Sequence, residues 1–200
     1  MNSKEHWDAI YRSKNDEDLS WTQAEPLLSM GLIGEACTSG KVIDVGGGRS
    51  ALPEKLLDRN YAVTVLDISE AALALARTRL GAKADRIHWI VADVLAGPSL
   101  ETFDVWHDRA VFHFLTAPAD RVAYRRLLAQ TVALGGYVVI GTFALDGPEK
   151  CSGLEVQRYD APMLAAELGP RFAMLKSEAE MHVTPWGKHQ AFQYCLFRHV

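Results

Sequence analysis

The sequence predicts an α/β protein with a doubly wound, mainly parallel seven-stranded sheet, helices on both faces and a C-terminal antiparallel hairpin. Three observations carry that expectation. Between Lys41 and Phe143, five short β-branched runs alternate with helical segments, as in successive βα units. The first run, Lys41-Val42-Ile43-Asp44-Val45, breaks on Gly46-Gly47-Gly48, and a helix then leads to a second run that ends on Asp67. The chain closes on two strand-like runs, about 172 to 184 and 190 to 198, joined through Pro185-Trp186-Gly187-Lys188, a hairpin signal.

Each element has a local reason. Residues 3 to 13 place Trp7, Ile10 and Tyr11 on one helical face. An acidic loop, Asn15 to Asp18, leads through Ser20-Trp21 to a second helix from about Ala24 to Ala36, with Pro26 in its first turn. After the glycines, Ser50 to Asn60 read as a helix. Ser69 caps a helix from Glu70 to Leu80 that Gly81 stops. A third strand, Ile87 to Val91, ends at Ala92-Asp93-Val94. The fourth, Phe103 to Trp106, delivers His107-Asp108-Arg109 to its carboxyl end, and a helix from Thr116-Pro118 runs to Val132. Leu134-Gly135-Gly136 turn the chain into the fifth strand, Tyr137 to Phe143. A loop from Ala144 to Tyr159 follows, then a helix that Asp160 caps, Ala161 to Leu168.

Two hundred residues, without internal repeats or low-complexity segments, suit one domain. Residues 1–40 form a helical prelude able to fold over the crevice as a lid, and 41–200 form the core. With 48% hydrophobic and 23% charged residues the composition is that of a globular protein. A formal net charge of −4 gives no general attraction for nucleic acid. The widely spaced Cys37, Cys151 and Cys195 suggest a reducing compartment. The start, Met1 to His6, lacks a signal-peptide core, and no apolar run approaches the roughly 18 residues of a membrane span. The expectation is a cytoplasmic protein with no membrane partner. Without H-E-x-x-H or clustered Cys/His spacing, no metal site is expected.

The glycine turn points to a cofactor that carries a nucleoside. Gly46, Gly47 and Gly48 let the backbone turn tightly beside a bound molecule. Asp67 follows Gly48 by 19 residues, close to the roughly 20-residue offset of an acid that grips ribose hydroxyls. Gly46, Gly48 and Ala51 also satisfy the dinucleotide pattern G-x-G-x-x-G/A. No tyrosine has a lysine four residues on, however, so the Tyr-x-x-x-Lys pair of short-chain dehydrogenases is missing.

Asp44-x-Gly46-x-Gly48-x-Ser50 resembles the first motif of class I S-adenosylmethionine-dependent methyltransferases, with Ser50 at the third glycine. The resemblance is strongest from Val42 to Asp93 and covers nearly the whole chain. It implies a Rossmann-like fold with its last strand inserted antiparallel, and S-adenosylmethionine as cofactor, leaving S-adenosylhomocysteine. In such a site Asp44 and Gly46 to Gly48 would face the cofactor, Asp67 would hold its ribose, and Ile68 would lie against adenine. Asp93, with Val94 beside it, would meet the adenine amino group. Trp21 would close over the cofactor from the prelude.

The strand-end residues supply the catalytic candidates, since the crevice of an open α/β sheet lies there. Asp108 would hold the methionine end of the cofactor or take a proton, or else pair with Arg109. Arg109 would bind an anionic substrate, or else be a surface charge. His113 and His107 are possible bases, and His182 and His189 flank the hairpin turn near the substrate mouth. Trp7 reads as core filling. Asp108-Arg109-Ala110 with Asp120-Arg121-Val122-Ala123-Tyr124 resembles the thiopurine methyltransferase-like group, which methylates sulfur, selenium or tellurium in small molecules. His6-Trp7-Asp8 with Tyr11 and Ser20-Trp21 also resembles small protein-lysine methyltransferases. A protein that binds cofactor without turnover is the third reading.

Overall fold

The computed structural model describes residues 4–200. Met1 to Ser3, where the polar start and the first predicted helical residue fall, lie outside them. The prelude holds α1 (Lys4–Ser13) and α2 (Leu27–Ala36), with a single 3-10 turn at Asp16–Asp18 in the predicted acidic loop. The core runs β1 (Lys41–Val45), α3 (Leu52–Asp58), β2 (Ala62–Asp67), α4 (Glu70–Leu80), β3 (Ile87–Val91), β4 (Phe103–Arg109), α5 (Pro118–Thr131) and β5 (Val132–Phe143). It closes with β6 (Lys150–Cys151), β7 (Leu154–Glu155), α6 (Ala161–Leu168), β8 (Phe172–Val183) and β9 (His189–His199).

Seven strands form one sheet in the order β3-β2-β1-β4-β5-β9-β8. β1 to β5 pair in parallel, and β9 runs antiparallel between β5 and β8. This is the predicted architecture. Buried side chains of α2, α3 and α4 cover one face of the sheet, and those of α5 and α6 cover the other. The strand order reverses between β1 and β4, so the crevice opens at the carboxyl ends of those strands and of β2.

Several boundaries differ from expectation for identifiable reasons. α2 begins after Pro26, not at Ala24, because proline disfavours helical backbone at the residue before it and itself adopts ψ 62°. α3 spans seven residues rather than the predicted eleven. Its start is held by a hydrogen bond from the Leu52 amide to the Ser50 hydroxyl, and Asn60 leaves the helix at φ 64°. β4 continues past Trp106 to Arg109 because its ladders with β1 and β5 continue, Val45 opposite Asp108 and Gly141 opposite Arg109. The Leu134-Gly135-Gly136 turn lies inside β5 as an excursion between Val132, opposite Phe103, and Tyr137, opposite Val105. The predicted 144–159 loop contains the β6–β7 hairpin. Ser152 (φ 51°) and Gly153 (φ 78°) turn it in the left-handed region that two-residue hairpins require.

Ser69 and Asp160 cap α4 and α6 as predicted, accepting from the Ala72 and Met163 amides. Among the described residues, no helix is long and apolar enough to cross a membrane. No group of three or more His, Cys, Asp or Glu among them is placed to hold a metal ion.

Candidate active site

The glycine turn is built for contact. Gly46 has φ 68°, and a Cβ there would stand 2.0 Å from Val111 Cγ2. The turn therefore tolerates no side chain where the backbone passes the end of β4. Two acids lie beneath it. Asp67, at the end of β2, accepts the Ser69 amide at 2.7 Å and bonds the Gly48 amide. Burial pushes its pKa up to about 7, and the charges of Asp44 and Asp8 add to the effect. Asp44, in β1, is 2% exposed. Its Oδ1 meets His107 Nδ1 at 2.7 Å, while among the described residues no group donates to Oδ2.

Two adjoining cavities occupy the crevice. The first is lined by Val45, Gly46, Asp67, Ile68, Ala92 and Val94 on the β1–β3 side. Trp7, Tyr11, Trp21, Arg109, Val111, Phe114 and Cys151 close it from the prelude and the β4 side. The second holds Asp44, Gly47, Ser29, His107, Arg49 and Arg79, and shares Tyr11, Trp21, Gly46 and Arg109 with the first. One face of the crevice is thus apolar and acidic at its floor, and the other carries guanidinium groups.

The prelude is fastened over this crevice at several points. Asp8 of α1 accepts the Ser69 hydroxyl at 2.7 Å and the Ala71 amide at 3.1 Å, which ties α1 to the start of α4. Arg49 binds Asp16 at 2.9 Å and the Lys14 carbonyl at 3.0 Å. Arg109 donates to the Trp21 carbonyl, Gln23 to Glu180, and His182 Nε2 lies 2.6 Å from the Ser20 carbonyl.

The predicted residues separate into groups. Trp21, Asp44, Gly46, Gly47, Asp67, Ile68 and Val94 line the cavities. Gly48 lies behind them, packed on Tyr11 and Asp67. Asp93 caps the turn at Val94–Ala96 through the Leu95 amide, and its neighbours Ala92 and Val94 form the wall. The expectation for Asp108 is corrected. Strand alternation turns it away from the crevice, where it is fully buried and accepts from the Val111 and Phe112 amides and from Tyr124. His113 is also corrected: it lines neither cavity, stands edge-on to Phe114 and tilted against Phe143, and burial lowers its pKa to about 3. His182 secures the prelude rather than facing a substrate, and His189 is exposed.

Arg109 is neither a surface charge nor Asp108's partner. Its side chain is 11% exposed, lies 4.5 Å over the Phe192 ring, and donates to Tyr194 Oη and the Trp21 carbonyl. Its Nη2 makes no hydrogen bond among the described residues and stands 4.0 Å from Glu180. Trp7 packs against the small buried cluster of Tyr11, Leu19 and Ala72 and also lines the first cavity, edge-on to Trp21 and Phe114. Sequence reasoning missed Tyr11, Phe114 and Cys151 as lining residues. For Cys151 the available signal was the Ser152-Gly153 turn; the Tyr11 signal was the amphipathic face it shares with Trp7.

Sheet order, antiparallel insertion and a crevice beside a glycine turn with acids at the first two strand ends define the class I, Rossmann-like methyltransferase fold. Residues 42–136 match a family described as "Methyltransferase domain". Nodulation protein S of Rhizobium tropici is 34% identical over 101 residues, 50% of this chain and 42% of that relative. The chain thus spans less than half the length of that curated relative. A solved structure described as "Conversion of a Disulfide Bond into a Thioacetal Group during Echinomycin Biosynthesis" superposes with TM-score 0.80 at 21% identity, covering 98% of this chain and 92% of the other. The 1,6-didemethyltoxoflavin-N1-methyltransferase of Burkholderia thailandensis, with 1,6-didemethyltoxoflavin and S-adenosylhomocysteine bound, superposes with TM-score 0.75 at 18% identity. That match covers 98% of this chain and 87% of the other.

Proposed function

We propose that this chain binds S-adenosylmethionine and transfers its methyl group to a small-molecule nucleophile that arrives as an anion, with thiols and their selenium or tellurium counterparts the favoured class. The observation that carries the cofactor reading is the pair of buried acids, Asp44 and Asp67, bracketing the glycine turn. Asp67 offers a carboxylate to a ribose diol, and the unpartnered Oδ2 of Asp44 offers an acceptor to an ammonium group. The guanidinium groups of the second cavity suit a carboxylate. Bound S-adenosylmethionine supplies a methyl group activated on a positively charged sulfur.

The residues of the chain then align and dry the site. Trp7, Trp21 and Phe114 exclude water from the acceptor side, which strengthens alignment and electrostatics there. Among the described residues, no side chain on that wall is poised as a general base. Asp108 and His113 face elsewhere, and burial raises the Cys151 thiol to about 11. A nucleophile that needs deprotonation finds no help, whereas a thiolate finds Arg109 as counter-ion. The same guanidinium disfavours a lysine ammonium, which weighs against the protein-lysine reading.

The test incubates purified protein with methyl-labelled S-adenosylmethionine, a panel of small thiols, phenols and carboxylates, and a size-fractionated lysate. Label in the thiol products is expected. Label in a discrete protein band overturns the small-molecule reading, and cofactor binding without label in any fraction favours the non-catalytic one.

A further inference from the structure

Three buried polar side chains from three separate elements form one chain of hydrogen bonds along the floor of the second cavity. Ser29 of α2 is 1% exposed, His107 of β4 is 2% and Asp44 of β1 is 2%. His107 Nδ1 lies 2.7 Å from Asp44 Oδ1, and His107 Nε2 lies 2.9 Å from Ser29 Oγ. A carboxylate oxygen accepts, so the Nδ1 proton points at Asp44, and the Ser29 hydroxyl meets Nε2 at the other end of the ring. The imidazole is held from both ends, and it holds one carboxylate oxygen in turn.

The other oxygen is left open. Asp44 Oδ2 has no donor among the described residues, although it is buried on the lining of the cavity. Gly47 keeps it so: a Cβ at that position would stand 2.7 Å from Oδ2 and cover it. A buried, unpartnered carboxylate oxygen is costly unless a cationic or donor group of a ligand meets it.

We propose that His107, anchored by Ser29, is a positioning residue that fixes the Asp44 carboxylate so that Oδ2 receives the ammonium group of the cofactor's amino-acid end. This rests on the S-adenosylmethionine reading above. His107 touches no reacting atom; it acts through Asp44, setting which oxygen is committed to the protein and which to the ligand. The pairing across β1 and β4, Asp44 opposite His107, is what brings them together.

Calorimetry with two ligands separates this role from simple support of the fold. S-adenosylhomocysteine carries the amino-acid end, and 5′-methylthioadenosine keeps the nucleoside thioether without it. His107→Ala is expected to weaken S-adenosylhomocysteine binding by about tenfold while 5′-methylthioadenosine stays within about twofold. His107→Asn keeps an N–H near the Nδ1 position and is expected to restore most of the loss. His107→Ala added to Asp44→Asn is expected to cost little beyond Asp44→Asn alone, because one acts through the other. Ser29→Ala gives a milder loss of the same kind and serves if His107→Ala does not fold. Equal losses for both ligands, or no loss for S-adenosylhomocysteine, overturn the proposal. Wild-type protein that binds neither ligand overturns the cofactor reading itself, and the proposal with it.

Discussion

Arg109 Nη1 donates a hydrogen bond of 2.8 Å to the backbone carbonyl of Trp21, joining the end of β4 to the middle of the prelude. Its Nε binds Tyr194 Oη at 2.8 Å, so the same guanidinium is braced from β9. A residue at the edge of both cavities thus also closes them. Arg109→Ala should therefore weaken S-adenosylhomocysteine binding as well as turnover. Each lost bond to the charged group is worth about 1.5–3 kcal/mol. The prelude should open, so trypsin should cut sooner after Arg12 and Lys14. Arg109→Lys should not rescue it, because an ammonium cannot reproduce the planar fork. Unchanged proteolysis would mean that aromatic packing around Trp21 holds the prelude unaided.

Asp67 gives the site a pH dependence. Burial raises its pKa to about 7, well above the ordinary carboxylate range. The folded protein therefore holds a proton that the unfolded chain has already released at about pH 4. Stability contributed by this group is full below pH 4 and is lost as pH rises towards 7. Ribose hydroxyls donate to the ionised form, so affinity for S-adenosylhomocysteine should rise by up to about tenfold per unit approaching pH 7 and level off above it. Asp67→Asn should lose most affinity and all of that slope, while melting several degrees higher than wild type at pH 8. Calorimetry and thermal melts from pH 5.5 to 8.5 check both halves.

Asp8 works with the opposite sign. Burial alone would raise its pKa, but donation from Lys4, Ser69 and the Ala71 amide outweighs burial and brings it to about 2. Its contribution is present above the unfolded pKa near 4 and is lost as pH falls through about 2. Asp8→Asn should lower the melting temperature at pH 7 and lessen the loss of stability between pH 4 and 2. Because Asp8 ties α1 to α4, protease sensitivity of the prelude should rise with it. A variant whose acid unfolding curve overlays that of wild type would remove Asp8 from this account.

The sequence made the strands, the caps at Ser69 and Asp160 and the terminal hairpin legible because each rests on neighbouring residues. The glycine turn and Asp67 were legible for the same reason, with fixed spacing inside one βαβ unit. The roles of His107, Asp108 and Arg109 were not. They depend on β4 continuing three residues past Trp106, which its partners β1 and β5 decide, and on the alternation that then sends Asp108 to the α5 face. Cys151 was hidden in a hairpin with two-residue strands, too short for a periodic signal. Trp7 and Tyr11 announced a helical face without saying which surface it would cover.

Asp108 is the sharpest test of that reassignment. Trp106 Nε1 donates to Tyr124 Oη at 2.8 Å, and the Tyr124 hydroxyl donates to Asp108 at 2.5 Å, all three side chains fully buried. Burial raises the Asp108 carboxyl to about 6, against the pull of Tyr124 and the Val111 and Phe112 amides. Tyr124→Phe removes a donor from the carboxylate and strands the indole N–H, at a cost of about 1–3 kcal/mol. The melting temperature should drop by roughly 2–10 °C. Since Asp108 faces α5, affinity for S-adenosylhomocysteine and the pH profile of methyl transfer should both keep their wild-type form at a temperature where the variant is folded. A folded Tyr124→Phe protein whose rate profile shifts in the acid limb would return Asp108 to the chemistry.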